Sequence, residues 1–554
     1  MSQSSGGKHQ LQNIRASRLI VGLVLIASCG LLLLTAPTNG DFWWQDAPRH
    51  ALNGAFIRDL LADHPVRDPV GWAIDYYVKY PALTVMFYPP FFYLAEAAVY
   101  AAMGVSHFAA QFTVTAFYLL LGIASYRLAR HVLPRWSALG VSLLLIGAPE
   151  VAYWGRQVML DIPAYALIVS SILFLVNYLL KQRPRDIYLS AALLTMAIYT
   201  KYNVGFVALP MLLAFAMARG RLALRDKHAL AAVLLAAVVL IPAAYLFMKF
   251  GSVNAESLSG RPGDLPRTSL GAWLFYGQLI PRQLGIVTTV LAAGGVALIA
   301  GGKVKAGPPW MLALMAAWFA VGYLFFSSIS VREPRHDLTV LFPLVLAAGL
   351  ATHRLLGRGR FAQAALLGLG IATLGYSAFF YRPPAVEGYR AIAAYVAEHA
   401  PKDGVVVYSG YRDGNFVFDM REHGERRDLT IVRADKLLLR IAVERIRGVG
   451  QTDYTQDQIA DILRKHGVGM IVAQTGFWDD LQQMNLFNKV LHTPDFKLLA
   501  TIQLTGDLST NDGKGTPGHG TVELLVPTYP VERTDNGLTI DMPFIKDRFQ
   551  GHIH

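Results

Sequence analysis

Apolar runs long enough to cross a lipid bilayer recur along most of this chain, and no other feature restricts its fold as strongly. A bilayer core takes about 20 consecutive apolar residues of helix, because backbone groups there must be satisfied without water. The runs read as spanning are 19–36, 107–126, 136–150, 163–180, 187–200, 203–217, 229–250, 285–302, 309–326, 338–353 and 361–381. Composition agrees, since charged residues make up only 16% of the chain, too few to cover a water-facing surface.

The net charge of +12 sits in short clusters between these runs. Arg127/Arg130/Arg135, Lys181/Arg183/Arg185, Arg219/Arg221/Arg225/Lys227, Lys303/Lys305 and Arg354/Arg358/Arg360 all fall on one side if the N-terminus is cytoplasmic. That arrangement excludes nucleic acid as the partner of the charge and makes the lipid bilayer the medium. It predicts a multi-pass protein of the inner (plasma) membrane. Segments 39–106, 151–162, 251–282 and 327–337, the Lys201 turn and everything after the last span then face outward. The first run, preceded by Lys8, Arg15 and Arg18, reads as an uncleaved signal anchor. Residues 91–103 begin at Pro89-Pro90 and contain Glu96, which suits an interfacial or re-entrant helix on the outer surface. The single cysteine, Cys29, allows neither an intramolecular disulfide nor a cysteine metal site.

After Tyr381 the composition becomes that of a soluble domain. Segments 404–409, 468–473 and 521–527 read as strands, and 388–399 and 456–466 as helices, so a small α/β domain is expected. It contains no G-x-G-x-x-G fingerprint and no P-loop lysine. The division is thus a membrane domain at 1–381 and an extracytoplasmic domain at 382–554.

Ionisable residues beside bilayer-depth segments are costly and are functional candidates by default. Asp41 and Asp46 flank Trp43-Trp44 directly after the first run. Asp46 could equally cap a helix starting at Ala47, with Pro48 in its first turn. Asp161, before Pro163, is again a plausible cap, but capping does not require Arg156 five residues earlier. Lys201 lies at a short outward turn, where snorkelling alone would account for it. Arg332, Arg335 and His336 recur in the loop before a late span, and such cations suit a phosphate headgroup.

In order and topology this set resembles the GT-C membrane glycosyltransferases, in the branch of protein O-mannosyltransferases and bacterial aminoarabinose transferases, over roughly the first two-thirds of the chain. The motifs are an acidic residue after the first span, Pro-Pro before an interfacial helix, Arg-x-x-x-x-Asp-x-Pro, Thr-Lys and a late basic loop. The resemblance implies a GT-C-like membrane domain of roughly eleven to thirteen helices that transfers a sugar from a polyprenyl-phosphate donor to a hydroxyl of a lipid, glycan or protein. It implies Asp46 as general base, Asp161 assisting it, and Tyr88, ahead of Pro-Pro, in the donor site. Arg156, Lys201, Arg332 and Arg335 would meet the phosphate. Relatives usually carry an adjacent Asp-Glu pair in the first loop, whereas Gln45 precedes Asp46 here, so Asp41 remains a second candidate. They also tend to have a basic residue where Tyr88 stands. No cofactor is required by such chemistry, although a carboxylate pair could bind a divalent metal ion. A lipid or glycan transporter without catalytic activity is the main alternative, and a non-catalytic scaffold or an oligosaccharyltransferase-like enzyme are others.

Overall fold

The computed structural model describes residues 3–251, 264–304, 307–357, 359–441, 445, 449–508, 520–542 and 547–553. Of the expected features, Lys305, Arg358 and part of the outward segment 251–282 lie outside the described residues.

Each of the eleven apolar runs is helical, yet not all span on their own terms. Among the described residues eight helices are long and apolar enough to cross a membrane, and a ninth span results if the bent pair Leu270–Leu284 and Ile286–Ala300 is counted as one. The chain is a multi-pass membrane protein. The pair turns through 119° at Gly285, whose φ of +81° only glycine adopts without strain. Two expected spans are shorter: Arg135–Gly147 has 13 residues and Pro184–Ile198 has 15. At 1.5 Å per residue they reach only about 20 Å, less than a hydrocarbon core. Arg135–Gly147 is instead enclosed by its neighbours. A Cβ on Gly140 would lie 2.7 Å from the Leu366 backbone, and one on Gly147 2.8 Å from that of Leu374, so helix Arg360–Phe379 approaches along a seam of small residues.

Helix Phe91–Met103 follows Pro89-Pro90 and packs on helix Ala47–Asp63, with Glu96 against Gly54. Burial raises the Glu96 carboxyl well above its ordinary range.

Strands Thr430–Arg433, Val405–Ser409, Val468–Gln474, Thr521–Pro527 and Phe496–Gln503 form one sheet in that spatial order. The first three run parallel and the last two antiparallel to their neighbours. Val405–Ser409 is buried throughout because it is paired on both edges and covered on both faces. Helix Gln456–Lys465 starts at a complete capping box, Thr455 Oγ1 accepting from Gln458 N and Gln458 Oε1 from Thr455 N. The strand Phe496–Gln503 escaped the sequence reading because most of its side chains face solvent and no apolar run marks it.

This domain is fastened to the segment following the first span. Asp59 of helix Ala47–Asp63 receives Arg421 through Nε at 2.8 Å and Nη2 at 2.6 Å, with Tyr76 Oη at 2.9 Å. Burial alone would raise the Asp59 carboxyl, but Arg421, helped by Arg58 and Arg427, holds it below its ordinary range. A second joint is Arg49 on Asp413, at 2.8 and 3.0 Å, shared with Arg433 at 2.6 Å.

Candidate active site

Six of the nine expected site residues converge at one end of the helix bundle: Asp46, Asp161, Lys201 and Arg335, with Tyr88 and His336 beside them. Asp46 occupies the position before helix Ala47–Asp63, but its side chain makes no capping bond. Its backbone is already helical, with φ −76° and ψ −26°, so the carboxylate points away from the helix amides. Its Oδ2 instead accepts from Arg335 Nη2 at 3.0 Å and Trp44 Nε1 at 3.3 Å. Asp161, the first residue of helix Asp161–Lys181, receives Lys201 Nζ at 2.5 Å and lies 3.5 Å from Arg335 Nη1. Lys201 reaches it from an extended residue between helix Pro184–Ile198 and the turn Tyr202–Val207. The basic residues Lys181 and Arg219 lie about 30 Å away, at the far end of the 161–181 helix.

Arg335 is the centre of the arrangement. Its Nε donates to Glu333 at 2.7 Å, and its guanidinium carbon lies over the Trp44 and Trp154 rings, 5.3 and 5.5 Å from their centres. Its three nitrogens therefore meet carboxylates, and two aromatic rings 5.1 Å apart pack against one side of the cation. Burial opposes the Arg335 charge, but Glu333, Asp161 and Asp46 outweigh it and raise its pKa. His336 stands 3.7 Å from Glu333. Burial lowers it to about 4 despite Glu333, with Lys201 and Arg335 adding to the fall, so its ring is neutral at pH 7. Tyr88 stands edge-on to His50, with ring centres 4.8 Å apart. Burial and the Asp46 charge raise its phenol, which is a neutral donor and not a base.

Three expected site residues are elsewhere. Asp41 lies in the seam with the C-terminal domain, where its carboxylate accepts the backbone N–H groups of Tyr389 at 2.8 Å and Arg390 at 3.1 Å. It terminates a helix, Tyr389–His399, rather than facing the Asp46 site. Arg156 is consumed by backbone carbonyls: Ala152 at 3.0 Å, Ser377 at 2.8 Å, Ala378 at 3.4 Å and Tyr381 at 2.5 Å. Ser377 and Ala378 are in the last turn of helix Arg360–Phe379 and Tyr381 lies just beyond it, where carbonyls need donors. Arg332 is likewise spent on carbonyls, those of Ser330 and Ser327 in its own loop and of Leu265 in the segment before helix Leu270–Leu284, each at 3.1 Å.

Other participants went unread. Glu333 was legible only as part of a basic loop. His50, one helical turn after Asp46, is buried with Nδ1 2.8 Å from Tyr93 Oη and held at about 4 by burial. Glu150, taken as the end of a span, accepts from Trp154 Nε1 at 3.0 Å, Arg282 Nε at 2.6 Å and Tyr381 Oη at 2.5 Å. Its one signal was a carboxylate at the end of an apolar run, the same signal that marked Asp46. Among the described residues no group of three or more His, Cys, Asp or Glu side chains is arranged to hold a metal ion. The three site carboxylates converge on a guanidinium.

Solved structures decide the architecture. ArnT from Cupriavidus metallidurans bound to undecaprenyl phosphate superposes with a TM-score of 0.60 at 14% identity, over 91% of this chain and 97% of that one. The same protein in the apo state gives 0.57 at 15% identity, over 94% and 98%. The chain has the GT-C fold. The mycobacterial arabinofuranosyltransferase AftD shares this GT-C fold, with a TM-score of 0.54 at 16% identity over 94% of this chain, which spans 41% of that larger protein. The profile of the dolichyl-phosphate-mannose-protein mannosyltransferase family matches residues 88–246, from Tyr88 through the Asp161 and Lys201 elements. No curated protein sequence matches the chain.

The GT-C fold thus brings one partly exposed carboxylate beside two cations that are largely enclosed. Chemically, such a site can take a proton from a hydroxyl while neutralising an anionic leaving group.

Proposed function

We propose that the chain is an inverting glycosyltransferase that moves a sugar from a polyprenyl-phosphate donor to an acceptor hydroxyl at the extracytoplasmic face of the plasma membrane. The observation that carries this reading is the meeting of Asp46, Asp161, Lys201 and Arg335 at one end of the bundle. The acceptor oxygen attacks the anomeric carbon opposite the phosphate, the carbon–oxygen bond to phosphate breaks, and the hydroxyl proton passes to Asp46. Polyprenyl phosphate departs with its charge matched by Lys201 and Arg335. One base on the attacking side gives inversion, without the nucleophile and acid pair of a retaining hydrolase. Asp161 orients both cations, while Tyr88 and His336 line the same space as neutral groups. The undecaprenyl phosphate held by the similarly folded ArnT supports a lipid phosphate as the donor's carrier. The one-sided basic clusters support an outward-facing site.

The C-terminal domain, docked on the segment that bears Asp46, covers the site and contributes to acceptor choice. Incubation of the purified protein with a polyprenyl-phosphate sugar and candidate acceptors tests the reading. Release of polyprenyl phosphate, with the product's anomeric configuration inverted, is expected. Retained configuration, or no release by a folded protein across lipid, glycan and protein acceptors, would sink it.

A further inference from the structure

In the ligand-free arrangement neither site cation is directed at open space. Lys201 is on Asp161, and Arg335 is divided among Glu333, Asp46 and Asp161. Counting Asp46, Asp161 and Glu333 against Lys201 and Arg335, with neutral His50 and His336, the cluster is net negative. An arriving phosphate can gain the Arg335 guanidinium only by displacing one of its carboxylates. The three are not equally replaceable. The Asp161 side chain is 2% exposed and Glu333 18%, whereas Asp46 is 34% exposed. Asp161 also retains Lys201 if Arg335 is lost, and Glu333 is two residues from Arg335 in the same loop. Asp46 is joined to Arg335 by one charged hydrogen bond, and its other partner is the neighbouring Trp44 indole. Arg335 itself cannot easily swing away, because the Trp44 and Trp154 rings pack against one side of it and Glu333 fixes its Nε.

We propose that the donor phosphate exchanges with Asp46 on Arg335, so that the base is tied up in the empty enzyme and released by donor binding. This rests on Asp46, Arg335 and Lys201 serving a phosphate-linked donor as described above. While Arg335 Nη2 holds Asp46 Oδ2, that oxygen is occupied, and once displaced it faces the acceptor hydroxyl with no competing cation. The order of events follows: an acceptor is activated only after the donor is seated. Water that enters the vacant site meets no free base. Glu333 is the positioning residue of the exchange, since it holds the guanidinium in place while Nη2 changes partners.

Equilibrium binding of sugar-free polyprenyl phosphate to the full-length protein in detergent or nanodiscs tests this. Removing the competitor should strengthen binding, an unusual result for loss of a site residue. D46N and D46A are expected to bind at least about five-fold more tightly than wild type (about 1 kcal/mol as RT ln 5), and R335A at least about ten-fold more weakly. In the R335A background, D46A should give no gain, because there is no longer a guanidinium to contest. Unchanged or weaker binding by D46N and D46A overturns the exchange, as does a gain that persists without Arg335, which would mean plain charge repulsion. Where R335A loses binding but D46A gains none, Arg335 stays the phosphate seat and only the exchange falls. If wild type binds no polyprenyl phosphate, or R335A binds it equally well, the phosphate reading of the site falls and the exchange with it.

Discussion

Arg335 donates to Asp46 at 3.0 Å across 289 residues of sequence, joining the loop before a late span to the segment after the first one. That contact separates two roles for Asp46 that its neighbours in sequence left equal. A capping carboxylate would face the amides of helix Ala47–Asp63, and this one faces a guanidinium.

Asp46→Asn should therefore leave a folded protein with turnover reduced on the order of a hundredfold to ten-thousandfold, the usual contribution of general-base assistance. Asp41→Asn should do the reverse, lowering the melting temperature with a smaller loss of turnover, since Asp41 receives two amide N–H groups in the domain seam. Turnover rates and thermal melts of both variants check this. Near-normal transfer by D46N moves the base elsewhere.

The four arginine and lysine candidates divide into two behaviours. Lys201→Ala and Arg335→Ala should weaken donor binding, each by roughly ten- to a hundredfold, as charge-assisted phosphate contacts of about 1.5–3 kcal/mol disappear. Arg156→Ala should leave donor affinity near wild type in whatever fraction folds, and cost stability instead, because the carbonyls of Ser377, Ala378 and Tyr381 lose a donor. Arg332→Ala should behave like Arg156→Ala. Calorimetric donor binding set beside melting temperature distinguishes the groups.

His50 and His336 are both held neutral, at about 4, against an ordinary 6.5. A histidine with a lowered folded pKa takes up its proton more readily when unfolded. Its contribution to stability is complete above about pH 6.5 and is lost as pH falls toward 4. Melting temperature should accordingly decline between about pH 6.5 and 4, and His336→Asn should flatten that decline. A slope unchanged in H336N assigns the acid sensitivity to other groups.

Breaking the Asp59–Arg421 pair should cost about 3–5 kcal/mol in Asp59→Asn, which leaves Arg421 buried without its carboxylate, and less in Arg421→Ala, where Arg58 at 2.8 Å and Arg427 at 3.5 Å remain on Asp59. Arg421→Ala and Asp59→Asn should each lower the melting temperature and, with it, activity at Asp46. Replacing both together by apolar residues should restore part of the stability but not more activity than stability explains. Denaturation followed by the C-terminal domain's signal measures it.

Chelation provides the fifth contrast. The site carboxylates already match Lys201 and Arg335, so turnover should persist after exhaustive treatment with EDTA. Loss of turnover restored by added Mg2+ or Mn2+ would place a divalent ion in the mechanism.

Much of this architecture was written in local sequence. Long apolar runs gave the helices, and short apolar runs after Tyr381 gave three of the five strands in the C-terminal sheet. Length judged from hydropathy failed where helix–helix contact replaced lipid, as in Arg135–Gly147 with its glycine seam. The candidate site was legible where an ionisable residue has no local task, as with Lys201 and Arg335. It was misread where a distant backbone supplied that task. Nothing near Arg156 reveals that its partners are carbonyls more than two hundred residues on, or near Asp41 that it meets amides 348 residues away. Glu333 was hidden for a different reason, since in a basic loop a single carboxylate looks like simple charge balance.

The seam at Asp41 and Asp59 also bears on how the protein is made. Synthesis proceeds from the N-terminus, and domains generally fold as they emerge. Asp41 and Asp59 leave the ribosome 348 and 362 residues ahead of Tyr389 and Arg421, whose backbone N–H and guanidinium will bind them. Through most of translation the segment bearing Asp46 is already committed to the membrane surface while its two anchoring carboxylates remain hydrated. The segment that bears Asp46 gains these anchors only when the last third of the chain arrives, so its final placement comes near the end of the protein's own biosynthesis.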